Sequence, residues 1–337
     1  MASGSAKAVY TAIGVNSFIT VTKLTTFFMT GSGVLLSEGI HSFADVLNQS
    51  LLALGIQKAK KEPDADHPYG YGRDSFVWAM ISAVGIFFLG CGFTLYHGIH
   101  SLMHPELPDA SEIPWVTGVL IFSFILEGYT LWVAYKAVRE AAKESQMSFK
   151  EYLKVGPDPM AVAVLLEDAA AVFGVMIALF SIGMMQISQN AVWDAIGSIT
   201  ISLLLGAVAI FLMVKNRRAL LGQSINSDVQ QQIIDVLEAD PVVDAVHDVK
   251  ATIMSAESFR FKAEIDFDGK ALARRWVDGQ DLDAIHSKAS TDKEQFREFL
   301  IEYGEHITEA MGDEIDRIEA QIQAKIPAAK HVDLESD

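Results

Sequence analysis

Long apolar runs separated by short polar stretches fill the first two-thirds of the chain. Six of them reach the roughly 20 residues a helix needs to cross a bilayer. They cover 8–30, 32–57, 75–102, 113–136, 160–187 and 191–214. Only Thr30-Gly31-Ser32-Gly33 parts the first two, which predicts a tight hairpin. From Gly222 the period changes. SDVQQQIIDVLEADP opens with a Ser-Asp cap signal and reads as a short amphipathic helix. VVDAVHDVKATIM and SFRFKAEIDFDG alternate apolar and polar residues, as half-buried strands do. In the second, Phe259, Phe261, Ala263, Ile265 and Phe267 share one face. Helical spacing returns through Phe296, Leu300, Ile301, Ile307, Met311 and Ile315, while 269–291 reads as an irregular or partly helical insertion. The predicted fold is an α-helical membrane protein, with six transmembrane helices over 1–221. A C-terminal cytosolic α/β domain of ferredoxin-like αββα order follows over 222–325, with a loose tail at 326–337.

Charge orients this arrangement. Lys58, Lys60, Lys61 and Arg73 follow the second run. Lys136, Arg139, Lys143, Lys150 and Lys154 follow the fourth, and Lys215, Arg217 and Arg218 end the sixth. The alternate connections carry no Lys or Arg, so the positive-inside rule predicts a multi-pass protein with both termini and the tail in the cytoplasm. The net charge is −17, and 222–337 holds 26 acidic against 12 basic residues. Such a surface excludes nucleic acid as a partner and leaves the lipid bilayer as the expected surroundings. Cys91 is the single cysteine, which excludes a disulfide framework. MASGSAKAVY has neither a signal peptide's charged start nor an Arg-rich transit pattern, and a bacterial inner membrane is the expected location.

Against this oily background the ionisable residues stand out, because an Asp near a helix centre costs at least about 2.5–3.5 kcal/mol. Glu38, His41, Asp45 and Asn48 follow three-and-four spacing and form one polar stripe on the second run. A neutral imidazole and a carboxylate one turn apart can share one divalent cation, supplying one nitrogen and one oxygen. Glu167 and Asp168 interrupt the fifth run, with Asp168 roughly level with Asp45. A plain hydrogen-bonded pair, His41 to Asp168, is the structural alternative. Glu127, mid-way along the fourth run, is a candidate proton relay or a partner for Lys23. His97, His100 and His104 share a face at the end of the third, and Asp194 reads as a cap on the sixth.

Six runs, a His-x-x-x-Asp in the second, an Asp in the fifth and an acidic α/β tail together resemble the cation diffusion facilitator family. DHPYGYGRDS and WDAIGSI carry the same likeness, and LLEDAAAV and FRFKAEIDFDG are most similar to the branch containing zinc transporter nine. The resemblance implies a homodimer, joined through the tail, that exports a divalent cation from the cytosol in exchange for protons, with no resident cofactor. It assigns His41, Asp45 and Asp168 to the metal site, but the family's fourth ligand position falls on Val164, which cannot coordinate. Glu167, Asn48, Glu38 or water then completes the shell, and the expected core is three residues plus water or Glu167. Imidazole favours Zn²⁺, Co²⁺ or Cd²⁺ over Mn²⁺; Zn²⁺ is the expected cargo, with the other three as further candidates. The family's second, loop site maps onto Asp64 and His67, with Tyr71 at the third position; a structural turn is the plainer reading there. A metal-dependent membrane hydrolase built on the same cluster, or a metal sensor, are the alternatives; a hydrolase of that kind usually gathers more histidines than this chain offers.

Overall fold

The computed structural model describes residues 2–30, 33–105, 107, 109–290 and 292–337. Residues 31 and 32 of the expected hairpin, and the side chains of Leu35 and Leu36, lie outside the description. The chain divides into two compact units, one of residues 1–221 with 255–257, the other of 222–254 with 258–337.

The first unit is all helix. Among the described residues five helices are long and apolar enough to cross a membrane: Gly4–Met29, Asp74–Met103, Ile113–Glu144, Pro159–Ser188 and Val192–Leu220. Six were expected. The helix Gly33–Lys58 has the length, about 39 Å at 1.5 Å per residue, but its polar stripe keeps it out of the apolar class. It packs between the first and third spans, so the stripe is turned into the bundle instead of outward. Phe18, Phe88, Ile125, Phe173, Phe180 and Leu203 cover the outside. That is the apolar coat a bilayer requires, and far more contiguous than a soluble surface tolerates.

Local sequence fixes the helix ends. Asp158 accepts from the backbone N–H of Met160 (3.0 Å) and Ala161 (3.1 Å) and caps the fifth span, with Pro159 at its first position. Asp158 also accepts from Ser5, tying in the start of the first helix. The third span widens into a π-helical segment at Ile86–Gly92. Just before it, Gly85 leaves room for Asn48, whose Oδ1 would lie 2.5 Å from a Cβ at that position.

The second unit is a three-stranded sheet of order β1-β2-β3 with helices against it: β1 is Val243–Ser255, β2 Ser258–Phe267 and β3 Ala329–Ser336. Phe259, Phe261, Ala263 and Ile265 are buried on one face, with Phe267 half-buried beyond them. Ile233 and Leu237 from Ser227–Glu238, and Ile318 and Ile322 from Lys293–Lys325, close over them. On the other face Arg260 meets Asp333 at 2.6 Å and Lys262 meets Glu335 at 2.8 Å. One expectation is corrected here. The end of the chain is not loose, because β3 runs parallel to β2 and completes the sheet. The helical spacing is borne out in Lys293–Lys325, which leaves Phe296, Leu300 and Ile301 exposed and makes its core contacts late, through Ile318 and Ile322.

Candidate functional site

Three-and-four spacing puts Glu38, His41 and Asp45 on one side of their helix, and all three line a cavity of about 80 Å³. That is room for several waters or a partly hydrated ion. His97 and Thr94 of the third span, Glu127 of the fourth, and Asp194 of the sixth share the wall. Every helix contributes the half that lies away from the basic connections: 38–45 early in the second helix, 93–97 late in the third span, 170–182 late in the fifth, 194–205 early in the sixth. The cavity therefore belongs to the end of the bundle opposite the lysine- and arginine-rich loops. His41 Nε2 lies 3.9 Å from Asp45 Oδ2, with the two side chains 22 % and 18 % exposed. Both are reachable, and the pair is spaced to accept one ion between them.

Glu167 and Asp168 lie deeper. They are 4 % and 2 % exposed and take no part in the cavity wall. Both oxygens of Glu167, Oδ2 of Asp168 and Oε2 of Glu127 are buried without a hydrogen-bond partner. Asp45 is within electrostatic reach of all three carboxylates, and Thr130 lies beside Asp168. Among the described residues no three His, Cys, Asp or Glu side chains stand close enough together to hold a metal ion. The structure thus brings His41 and Asp45 together and leaves Asp168 and Glu167 as a separate, deeper set; the expected shell is not assembled.

Two further candidates change role. Glu38 is not free to complete the shell, because Lys23 donates from Nζ to its Oε2 at 2.9 Å and to Ser42 Oγ at 2.9 Å. Lys23 therefore bonds Glu38 and not Glu127. Asn48 is buried against Gly85, off the cavity. Ser42 and the fully buried Gln49 were missed in the sequence. Both sit four residues after a stripe member, Glu38 and Asp45, which was the available signal.

The loop pair is already satisfied. Asp64 accepts from Lys61 (2.7 Å), the Tyr71 hydroxyl (2.8 Å) and the His67 backbone N–H (2.9 Å). The first two bonds hold its carboxyl well below the ordinary aspartate range. Lys61 also lies 4.0 Å over the Tyr71 ring, so a tethered ammonium fills the turn. At the far end His100 and His104 stack at 4.8 Å, and Asp194 accepts from Ser101 at 3.2 Å. In the tail, His306 stacks on Trp276, and the remaining histidines stay scattered.

A family profile described as the cation efflux transmembrane domain matches residues 9–221. The chain is 40 % identical over 334 residues to the protein named proton-coupled zinc antiporter SLC30A9, mitochondrial, of Xenopus laevis, covering 98 % of this chain and 59 % of that one. The Homo sapiens protein of that name is also 40 % identical, with 98 % and 58 % covered. Metal tolerance protein C4 of Arabidopsis thaliana is 38 % identical over 337 residues, with 98 % and 73 % covered. The chain spans just under three-fifths of the length of these animal relatives.

Proposed function

The chain belongs to the cation efflux family, and from that premise we propose that it carries a divalent cation across a membrane in exchange for protons. Zinc is the cargo favoured by the donors present, an imidazole and a carboxylate. The relatives named as a proton-coupled zinc antiporter support both the metal and the counter-ion. The observation that carries the reading is the cavity itself, in which His41 and Asp45 face a space of about 80 Å³ inside an apolar bundle.

The chemistry follows from the ligands. His41 binds metal only as neutral imidazole, and a proton taken up there removes its lone pair and releases the ion. Proton and metal are thus exclusive occupants of one nitrogen. The cavity lies toward the end away from the basic loops, while Glu167 and Asp168 are sealed beneath it. We read this geometry as the releasing side, with the basic loops and both termini on the loading, cytoplasmic side. Asp168 and Glu167 meet the ion when the bundle rearranges to load, and Glu127 passes protons between the two levels. Two copies assemble through the tail. The relatives' names give no support to a bacterial inner membrane; those of the animal proteins say mitochondrial.

Purified protein in liposomes with an imposed proton gradient tests this, with zinc followed by an entrapped dye. Wild type accumulates zinc in proportion to the gradient. His41→Ala and Asp45→Ala abolish flux while eluting from size exclusion as wild type does. Undiminished flux in both variants removes the assigned site.

A further inference from the structure

Lys23 is 1 % exposed, about three-quarters of the way along an apolar helix, yet it reaches the wall of the metal cavity. A methionine would fill the same volume without the cost of a buried ammonium. Its surroundings suggest what the charge does. Glu38 and Asp45 face the cavity from the second helix, Glu127 from the fourth span and Asp194 from the sixth, with His41 and His97 between them. Four carboxylates line one small cavity; as placed no three of them close on a single ion, but together they offer the oxygen donors that hard dications such as manganese, magnesium and calcium take. Lys23 works against that set in two ways. Its bonds hold Glu38 and Ser42, so the Glu38 carboxylate is occupied. Its positive charge also opposes any second cation that lacks a strong nitrogen donor to compensate.

We propose that Lys23 is the selectivity residue of the cavity, a tethered cation that keeps Glu38 out of the coordination shell. It thereby rejects oxygen-seeking dications and leaves the His41–Asp45 pair to zinc. The proposal rests on the transport reading above and adds how that site chooses its cargo. It makes the pair Lys23–Glu38 a unit: freeing Glu38 admits the wrong metal, and neutralising the freed Glu38 excludes it again.

The test compares zinc and manganese flux in liposomes holding the full chain. Lys23→Gln removes the charge and, one bond shorter than lysine, releases Glu38. It raises the manganese-to-zinc flux ratio on the order of tenfold, since the freed Glu38 carboxylate adds an oxygen donor that favours manganese over the imidazole-seeking zinc. Lys23→Gln with Glu38→Gln returns the ratio to the wild-type value, and Lys23→Arg never leaves it. A merely structural lysine would leave the ratio untouched in all three. An unchanged ratio in Lys23→Gln overturns the proposal, and so does a rise that persists when Glu38 is neutralised. Should Lys23→Gln not fold, the exchanged pair Lys23→Glu with Glu38→Lys keeps the ion pair; it retains manganese rejection, and losing it overturns the proposal. If wild type moves neither metal, the transport reading fails on its own, and the Lys23 proposal is decided by the same ratio of zinc and manganese affinities from titration calorimetry.

Discussion

Lys215 lies buried near the end of the sixth span, where its ammonium donates to the backbone carbonyls of Gly156 (3.0 Å), Leu153 (3.1 Å) and Tyr152 (3.3 Å). These carbonyls end the short helix Phe149–Val155, and the last four of any helix lack partners within it. Tyr152 O keeps a second partner, the Gly156 N–H at 2.8 Å. Replacing Lys215 with Met keeps the packed stem and removes the donor, so the carbonyls of Leu153 and Gly156 lose the ammonium. Each orphaned buried acceptor costs about 1–3 kcal/mol, and the ammonium's own desolvation cost is returned. A net loss of about 3 kcal/mol follows. At the 2–4 °C per kcal/mol typical of a unit of this size, the thermal midpoint falls by about 6–12 °C. Tryptophan fluorescence of the full chain in detergent reads this directly. Lys215→Gln retains one donor and falls between the two. A Lys215→Met midpoint within about 2 °C of wild type would show that water or a shifted helix satisfies these carbonyls, and the latch would lose its assigned weight.

The second unit invites two more measurements. Phe261 is fully buried at the centre of β2, so Phe261→Ala costs about 3–5 kcal/mol and lowers the tail's own unfolding transition in a denaturant titration of the full chain. Partial burial raises the carboxyl of Glu314, but bonds from Arg275 and from Arg317 (2.7 Å) outweigh it and hold the group below its ordinary 4.5. A lowered carboxyl contributes stability above that ordinary value and loses it as pH falls through the native one. Tail stability therefore declines on acidification below about pH 4.5, and Arg317→Met, which also unpairs Asp240, flattens that decline. An equal slope in both proteins would exclude the Glu314 linkage.

What the sequence showed depended on distance along the chain. The stripe Glu38, His41, Asp45 was legible because three-and-four spacing is a property of one helix. The alternation of Phe259, Phe261, Ala263 and Ile265 was legible for the same reason in a strand. The Lys23–Glu38 bond joins two helices across residues 31 and 32, and periodicity carries no information on how two helices are rotated against each other. The depth of Asp168 relative to Asp45 likewise depends on the tilt and stagger of separate spans. β3 escaped notice because its buried residues, Ala329, Val332 and Leu334, break strict alternation. Its register against β2 jumps from Ala329 to His331, and the extra residue Lys330 disguises the strand.

The charged groups buried in this bundle fall into two kinds, and the division bears on the proposed exchange. Lys23 and Lys215 are fully engaged, each held by oxygen acceptors on a neighbouring element, and such groups fix helices in place. Glu127, Glu167 and Asp168 each keep a buried oxygen without a partner. A fold selected only for stability would have replaced these with apolar side chains, because an orphaned buried oxygen is among the more expensive features a protein can retain. A proton, a cation or an ordered water can satisfy such oxygens without a new protein donor, and the first two also change the charge of the site. Each satisfies them differently: a proton neutralises one carboxylate, while a divalent ion must draw several together. Since His41–Asp45 and Glu167–Asp168 occupy separate levels, drawing them together requires the helices to move, whereas protonating them singly does not. In the exchange proposed above, metal and proton would therefore stabilise different arrangements of the same bundle, and that difference would let the downhill movement of one drive the other.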